Sequence, residues 1–157
     1  MRTCIFPGSF DPPTIGHMDI IRRAAALFDR VCVAVMDNGQ KRAAFLPEER
    51  VEMLQKCAAG MSGVSVMADG GLLADLARRM RADAIVRGLR GEQDMFAEGQ
   101  MAAVNHRLCG VETIFLFTMP EHSHIGSTIV REVARHGGDV SGMVPDAIRD
   151  MISVRFC

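Results

Sequence analysis

The sequence predicts an α/β fold: a doubly wound, five-stranded parallel sheet flanked by helices, built as one domain over residues 1–157. Three observations carry this. Apolar runs rich in β-branched residues alternate with segments of helical period, the pattern of βαβ units. The apolar runs are continuous instead of alternating with polar residues, as strands covered on both faces require. A chain of 157 residues, 48% hydrophobic and 24% charged, buries a core of its own and holds no apolar run long enough to cross a bilayer.

The elements follow in order. Strand-like runs are Thr3 to Phe6, Val31 to Met36, Val64 to Ala68, Ala84 to Arg87 and Thr113 to Thr118. Helical stretches run from Gly16 to Phe28, Pro47 to Ala59, Leu72 to Arg81, Glu92 to Cys109, Ser127 to His136 and Pro145 to Val154. In the first, Ile20, Ile21, Ala24, Leu27 and Phe28 form one apolar stripe for packing on a sheet. Pro47 suits the first helical position, where its missing N–H costs nothing, and Glu48 and Glu49 then face the positive end of the dipole. Gly99 inside the fourth helix costs about 1 kcal/mol relative to alanine, which points to a close contact there.

Composition narrows the function. Net charge is -1, so no global basic field invites nucleic acid. The five cysteines stand tens of residues apart with no C-x-x-C pair, which favours reduced thiols, and Cys4 and Cys32 fall in apolar strands as small hydrophobes. Pro7, Gly8 and Asp11 interrupt the first apolar run before it reaches the length of a secretory signal. A cytoplasmic protein without membrane or nucleic-acid partners is the expectation.

In a fold of this kind ligands bind beyond the carboxyl ends of the strands. Directly after the first strand comes P-G-S-F-D-P-P-T-I-G-H. Neither G-x-G-x-x-G nor G-x-x-x-x-G-K-[ST] occurs there, which disfavours dinucleotide-dependent hydride enzymes and P-loop NTPases. Thr14 is a plausible N-cap, placing Ile15, Gly16 and His17 at the first three helical positions. Free backbone N–H groups at such a helix start suit an anion; Gly16 opens them to close approach, and His17 adds a directional donor. A lone first-turn histidine is ordinarily unremarkable, and here the length of the string gives it weight.

Other candidates lie at other strand ends. Arg87 and Arg90, in R-G-L-R after the fourth strand, suit phosphate oxygens. Asp94 and Glu98 share one helix face, as a solvated face or as contacts to a ligand hydroxyl rather than as a general base. The loop Asp37 to Ala43 offers Lys41 and Arg42, either of which could point inward. His122 and His124 stand two apart without a third ligand nearby, so no protein metal site is expected.

The first-loop string resembles the [HT]-x-G-H signature of the nucleotidyltransferase superfamily, a Rossmann-like fold. With R-G-L-R, Ile125-Gly126-Ser127-Thr128 and Val130-Arg131-Glu132-Val133 in order, nearly the whole chain is similar to the bacterial phosphopantetheine adenylyltransferase family. The resemblance implies AMP transfer from ATP to 4'-phosphopantetheine, giving dephospho-coenzyme A and pyrophosphate. It implies that His17 steadies the transition state with Lys41 and Arg90. It implies ATP contacts at Ser9, Phe10, His17, Gly88, Leu89, Arg90, Glu98 and His122, Ser123, His124, Ile125, Gly126, Ser127, Thr128. It places Ser9, Lys41, Leu73 and Arg87 around phosphopantetheine. It further implies Mg2+ held mainly through substrate phosphates, a homo-hexamer and feedback inhibition by coenzyme A. Ile15, Gly126 and His122 depart from residues common in that family, asparagine, serine and an aromatic residue respectively. A sister enzyme such as nicotinate mononucleotide adenylyltransferase shares the first loop, and a non-catalytic nucleotide-binding module on the same fold is the reading from another class.

Overall fold

The computed structural model describes residues 1–37, 39 and 42–156. Five strands, β1 (Thr3–Gly8), β2 (Arg30–Met36), β3 (Val64–Asp69), β4 (Ala84–Leu89) and β5 (Glu112–Phe117), form one sheet in the order β3-β2-β1-β4-β5. Every pairing is parallel. Between and after them run α1 (Ile15–Leu27), α2 (Pro47–Cys57), α3 (Leu73–Met80), α4 (Glu92–Cys109), α5 (Ser127–Arg135) and α6 (Arg149–Phe156). The doubly wound α/β class expected from the alternating pattern is therefore the fold observed.

Alternate strand residues serve opposite layers, because side chains along a strand point to opposite faces. Cys4, Phe6, Val31, Val33, Val35 and Val86 pack with Met18, Ile21 and Ala24 of α1 and Leu54 of α2. Ile5, Cys32, Ala34 and Ile85 pack with Leu76 and Ala77 of α3. A third cluster, Phe45, Met53, Ile125, Val130, Val144, Ile148 and Ile152, joins α2, α5 and α6 beside the sheet. Burial pushes the Cys4 thiol up to about 12, aided by neighbouring Cys32, and burial alone pushes Cys57 up to about 11, so both stay protonated at neutral pH.

The sheet is not evenly knitted. β1 pairs with β2 through all six of its residues, up to Gly8 opposite Val35, but with β4 only at Cys4–Ala84 and Ile5–Ile85. Beyond those two pairs β1 and β4 part, and this is where the strand order reverses and ligands bind in such sheets. Arg87 of β4 spans the gap: Nη1 donates to the Pro7 carbonyl, while Nε and Nη2 donate to Glu98 Oε2 and Oε1 of α4, at 2.7 and 2.5 Å.

Three local expectations change. Leu27 ends the α1 stripe half-exposed, because the helix stops there and Phe28, its C-cap, turns back to the core. Gly99 has no heavy atom within 4 Å of where a Cβ would stand, so no close contact explains it. The expected last helix from Pro145 divides into a 3-10 turn, Asp146–Ile148, and α6, because Pro145 acts as the cap of the turn and the helix begins only after it. No helix among the described residues is long and apolar enough to cross a membrane.

Candidate active site

A cavity of about 420 Å³ opens where β1 and β4 part. The end of β1, loop 9–14, the α1 start, the ends of β2 and β4, α4 and the α5 start all contribute to it. The loop packs down on the end of β1 through Phe10 and Gly8. Phe10 turns into the left-handed region at φ 50° and lays its ring over Gly8, where a Cβ would stand 2.9 Å from the ring. That backbone is strained for a side chain of this size, and the strain sits at the cavity wall. Asp11-Pro12 is a cis peptide.

Thr14 is the N-cap of α1, and Ile15, Gly16 and His17 follow at the first three helical positions. The cap is a reciprocal box: His17 N–H donates to Thr14 Oγ1 at 3.3 Å, and Thr14 N–H donates to His17 Nδ1 at 3.0 Å. This second bond settles the imidazole's chemistry. A backbone N–H can only donate, so Nδ1 must be an unprotonated acceptor and the ring proton lies on Nε2. Nε2, across the ring from the cap, has no hydrogen-bond partner among the described residues, and His17 lines the cavity. Phe10 packs edge-on against the ring at 4.9 Å. Burial first, then the charges of Arg90 and Arg87, bring the His17 pKa from 6.5 down to about 4. At neutral pH the residue is therefore an uncharged donor already aimed into the cavity.

Charge is dense around it. Arg87, Arg90, Arg42, Arg50 and Arg131 line the cavity, with Asp11, Asp37, Asp94 and Glu98. Asp94 Oδ2 accepts from both the backbone N–H and Nε of Arg90, at 3.0 and 3.2 Å. Partial burial raises that carboxyl, but these bonds and the Arg90 and Arg87 charges outweigh it and hold it below the ordinary carboxylate range. Arg90 Nη1 lies over Gly126 at the α5 start, 2.5 Å from where a Cβ would be. The departure to glycine thus leaves room for the guanidinium.

Comparison with known proteins bears directly on this arrangement. The cytidylyltransferase-like family matches residues 5–133. A phosphopantetheine adenylyltransferase of a Nocardioides species is 48% identical over 156 residues, covering 99% of this chain and 98% of its own. The chain belongs to the phosphopantetheine adenylyltransferase family. Members from Caldanaerobacter subterraneus and Limosilactobacillus reuteri are 45% and 42% identical, each covering 99% of this chain and 98% and 91% of their own. A solved Vibrio parahaemolyticus protein assigned as a nicotinate-nucleotide adenylyltransferase superposes with TM-score 0.64, covering 100% of this chain and 98% of its own; at 18% identity it speaks for the fold alone.

Of the residues that the family resemblance singles out, the structure brings Ser9, Phe10, His17, Arg87, Gly88, Arg90, Glu98, Ile125, Gly126, Ser127 and Thr128 to one cavity. Arg87 and Glu98 meet each other there. Leu89 points into the core, and Leu73 at the α3 start packs in the cluster that includes Met36, itself a cavity residue. His122, Ser123 and His124 lie on and after a 3-10 turn, Pro120–His122, and are not part of the cavity wall. Lys41 lies outside the described residues, whereas Arg42 lines the cavity.

Three wall residues carry no role in the sequence reading. Arg50 of α2 is buried, donating from Nη1 to the Ser9 carbonyl at 3.0 Å and from Nη2 to Asp37 Oδ1 at 3.2 Å, and Nε finds no partner among the described residues. Its position was readable: a helix starting at Pro47 places residue 50 on the same face as Met53 and Leu54. Arg131 donates from Nη1 to the Asp11 carbonyl at 2.6 Å, one turn after Ser127 on α5. Asp11 accepts from Ala44 and Phe45, both at 2.9 Å.

The donor set decides how a divalent cation would sit. Each wall carboxylate already has a partner: Asp11 the two amides, Asp37 Arg50, Asp94 Arg90 and Glu98 Arg87. No group of three acidic, histidine or cysteine side chains converges among the described residues. This chemistry fits a cation held chiefly by phosphate oxygens, with the arginines gripping the remaining ones.

Proposed function

We propose that the chain transfers AMP from ATP to 4'-phosphopantetheine, releasing pyrophosphate and forming dephospho-coenzyme A. The observation that carries this is near-full-length identity of 42–48% to phosphopantetheine adenylyltransferases. The cavity then supplies a mechanism. The attacking group is a phosphate, anionic near neutral pH, so the step needs no general base and no covalent intermediate. What it needs is two mutually repelling anions held in line, and fixed donors for the charge that moves onto pyrophosphate.

His17 supplies such a donor from Nε2. Its neutrality matters, because a neutral ring keeps that proton instead of releasing it to phosphate oxygen. The backbone N–H groups at the α1 and α5 starts, both in the cavity wall, add the positive ends of helix dipoles. Arg90 grips nucleotide phosphates, and Ser9, with Arg87, faces the acceptor phosphate; Lys41 is assigned to the acceptor as well. Mg2+, when bound, neutralises the ATP phosphate oxygens. Gly88, Glu98 and the 125–128 segment are assigned to the nucleotide, and Leu73 to the pantetheine arm.

The protein is proposed to be cytoplasmic and to assemble as a homo-hexamer. In support, α4 has a single buried residue, Asn105, and carries Met95, Phe96, Met101, Val104 and Leu108 exposed, an apolar surface of the kind subunits cover. Coenzyme A, which contains both the pantetheine arm and an adenine nucleotide, is proposed as an inhibitor competing for the same cavity. The test is pyrophosphate release across acceptors. Release with phosphopantetheine and none with nicotinate mononucleotide is expected; the converse overturns the assignment.

A further inference from the structure

Asp11 is a buried carboxylate in the wall of a phosphate-handling cavity, where a metal ligand or a base would be sought. Its bonds give it a different task. Oδ2 accepts from the backbone N–H of Ala44 and Oδ1 from that of Phe45, each at 2.9 Å. Both oxygens are thus spent on two consecutive amides of the segment leading into α2. On its other side the residue meets α5: Arg131 Nη1 donates to the Asp11 carbonyl at 2.6 Å and forms an ion pair with Oδ2 at 3.7 Å. Ser127 Oγ adds a bond to the Pro12 carbonyl at 2.7 Å, so α5 is tied to the loop independently of the carboxylate.

We propose that Asp11 is a positioning residue, whose carboxylate fixes the acceptor-side segment 42–46 in register with the nucleotide-side loop and α5. The inference rests on the proposed adenylyl transfer. Arg42 stands two residues, and Lys41 three, before the first of the two clamped amides. An acceptor phosphate gripped from that segment is aimed at the nucleotide only while the clamp holds. In-line attack is sensitive to such placement, a displacement of about 1 Å costing on the order of 100-fold in rate. The division of bonds makes the effect unequal. Losing the carboxylate frees the acceptor segment of both its hydrogen bonds, whereas α5 gives up only the longer ion pair and keeps both of its hydrogen bonds.

The substitution to use is Asp11→Asn, which keeps the shape but turns an NH2 group toward one of two N–H donors. Measured beside the parent, it is expected to raise the KM for phosphopantetheine about tenfold or more and lower kcat. The KM for ATP should stay within about threefold, and the Mg2+ activation midpoint should not move. Asp11→Glu is the second variant: it keeps the charge but moves the oxygens by a methylene, so positioning predicts loss of activity and metal ligation predicts its retention. A Mg2+ midpoint shifted in Asp11→Asn, or full activity in Asp11→Glu, overturns the proposal. So does a fall in kcat that tracks the folded fraction with both KM values unchanged. A parent chain that does not turn over ATP with phosphopantetheine sinks the underlying function, a result distinct from an active parent whose variant keeps its acceptor KM.

Discussion

Protonating His17 should cost the fold stability, and the size of the effect follows from its surroundings. In the unfolded chain the imidazole titrates near 6.5; in the fold, burial and the flanking arginines bring it to about 4. Between those values the unfolded chain binds a proton that the folded chain does not, so stability is complete above pH 6.5 and falls as pH drops toward 4. The difference in pKa corresponds to at most about 3 kcal/mol. The ring edge faces a water-accessible cavity, and screening there reduces the expectation to about 1–2 kcal/mol. The reference variant is His17→Gln, because glutamine at the third helical position maintains a capping box while removing the titration. Urea unfolding of the two proteins at equal concentration, from pH 7.5 to 4, gives the difference curve, in which titrations elsewhere cancel. With no Trp or Tyr in the chain, circular dichroism is the signal to follow. The parent should lose about 1–2 kcal/mol relative to His17→Gln across this window. A flat difference would refute both the neutral ring and the Nε2–H assignment that depends on it.

Three further outcomes are expected. Arg87→Lys and Glu98→Gln each break the forked pair that ties β4 to α4 beside the strand gap; their double-mutant cycle should show about 1–2 kcal/mol of coupling in urea unfolding, the pair being about a quarter exposed, and coupling below about 0.3 kcal/mol would reduce it to a surface contact. Gly63→Ala forces a side chain to φ 76°, with its Cβ 2.6 Å from the Asp29 carbonyl oxygen, and should lower the Tm by about 4–8 °C; an unchanged Tm would contradict this close approach between the turn ahead of β3 and the turn ahead of β2. Gly126→Ser meets only the mobile end of Arg90, so stability should change by less than about 0.5 kcal/mol in thermal unfolding; a loss above about 2 kcal/mol would mean that the guanidinium cannot move aside.

Much of this architecture was legible because it rests on local signals. Thr14 as cap, His17 at the third helical position and Pro47 at the first were all readable, since capping depends on residues within one turn. Strand ends were less so: β1 runs on to Gly8 and β4 to Leu89 because ladders with β2 and β5 continue, which nothing in the local sequence announces. The same divide runs through the site. The first loop, R-G-L-R and the 125–128 segment converge as the motifs imply. The bonds that organise them join residues 33 to 120 positions apart, as in Asp11 with Ala44 or Arg131, and Arg50 with Ser9. Arg50 in E-E-R-V sits on the helix face of Met53 and Leu54 by spacing, but its bonds to Ser9 and Asp37 exist only once the sheet and loop close over it. Arg87 and Glu98 were each readable as ligand contacts, but their pairing with each other depends on how α4 crosses the end of β4.

The most direct test of the mechanism is the rate of AMP transfer in a single turnover, with enzyme in excess over ATP and phosphopantetheine saturating, for the parent and His17→Ala, which leaves no side-chain donor at this position. Removing one preorganised donor should slow formation of dephospho-coenzyme A about 100- to 1000-fold. Calorimetry should show ATP affinity within a few fold of the parent, because Nε2–H acts on charge that develops only during transfer. Rates within a few fold of each other would contradict the role given to His17.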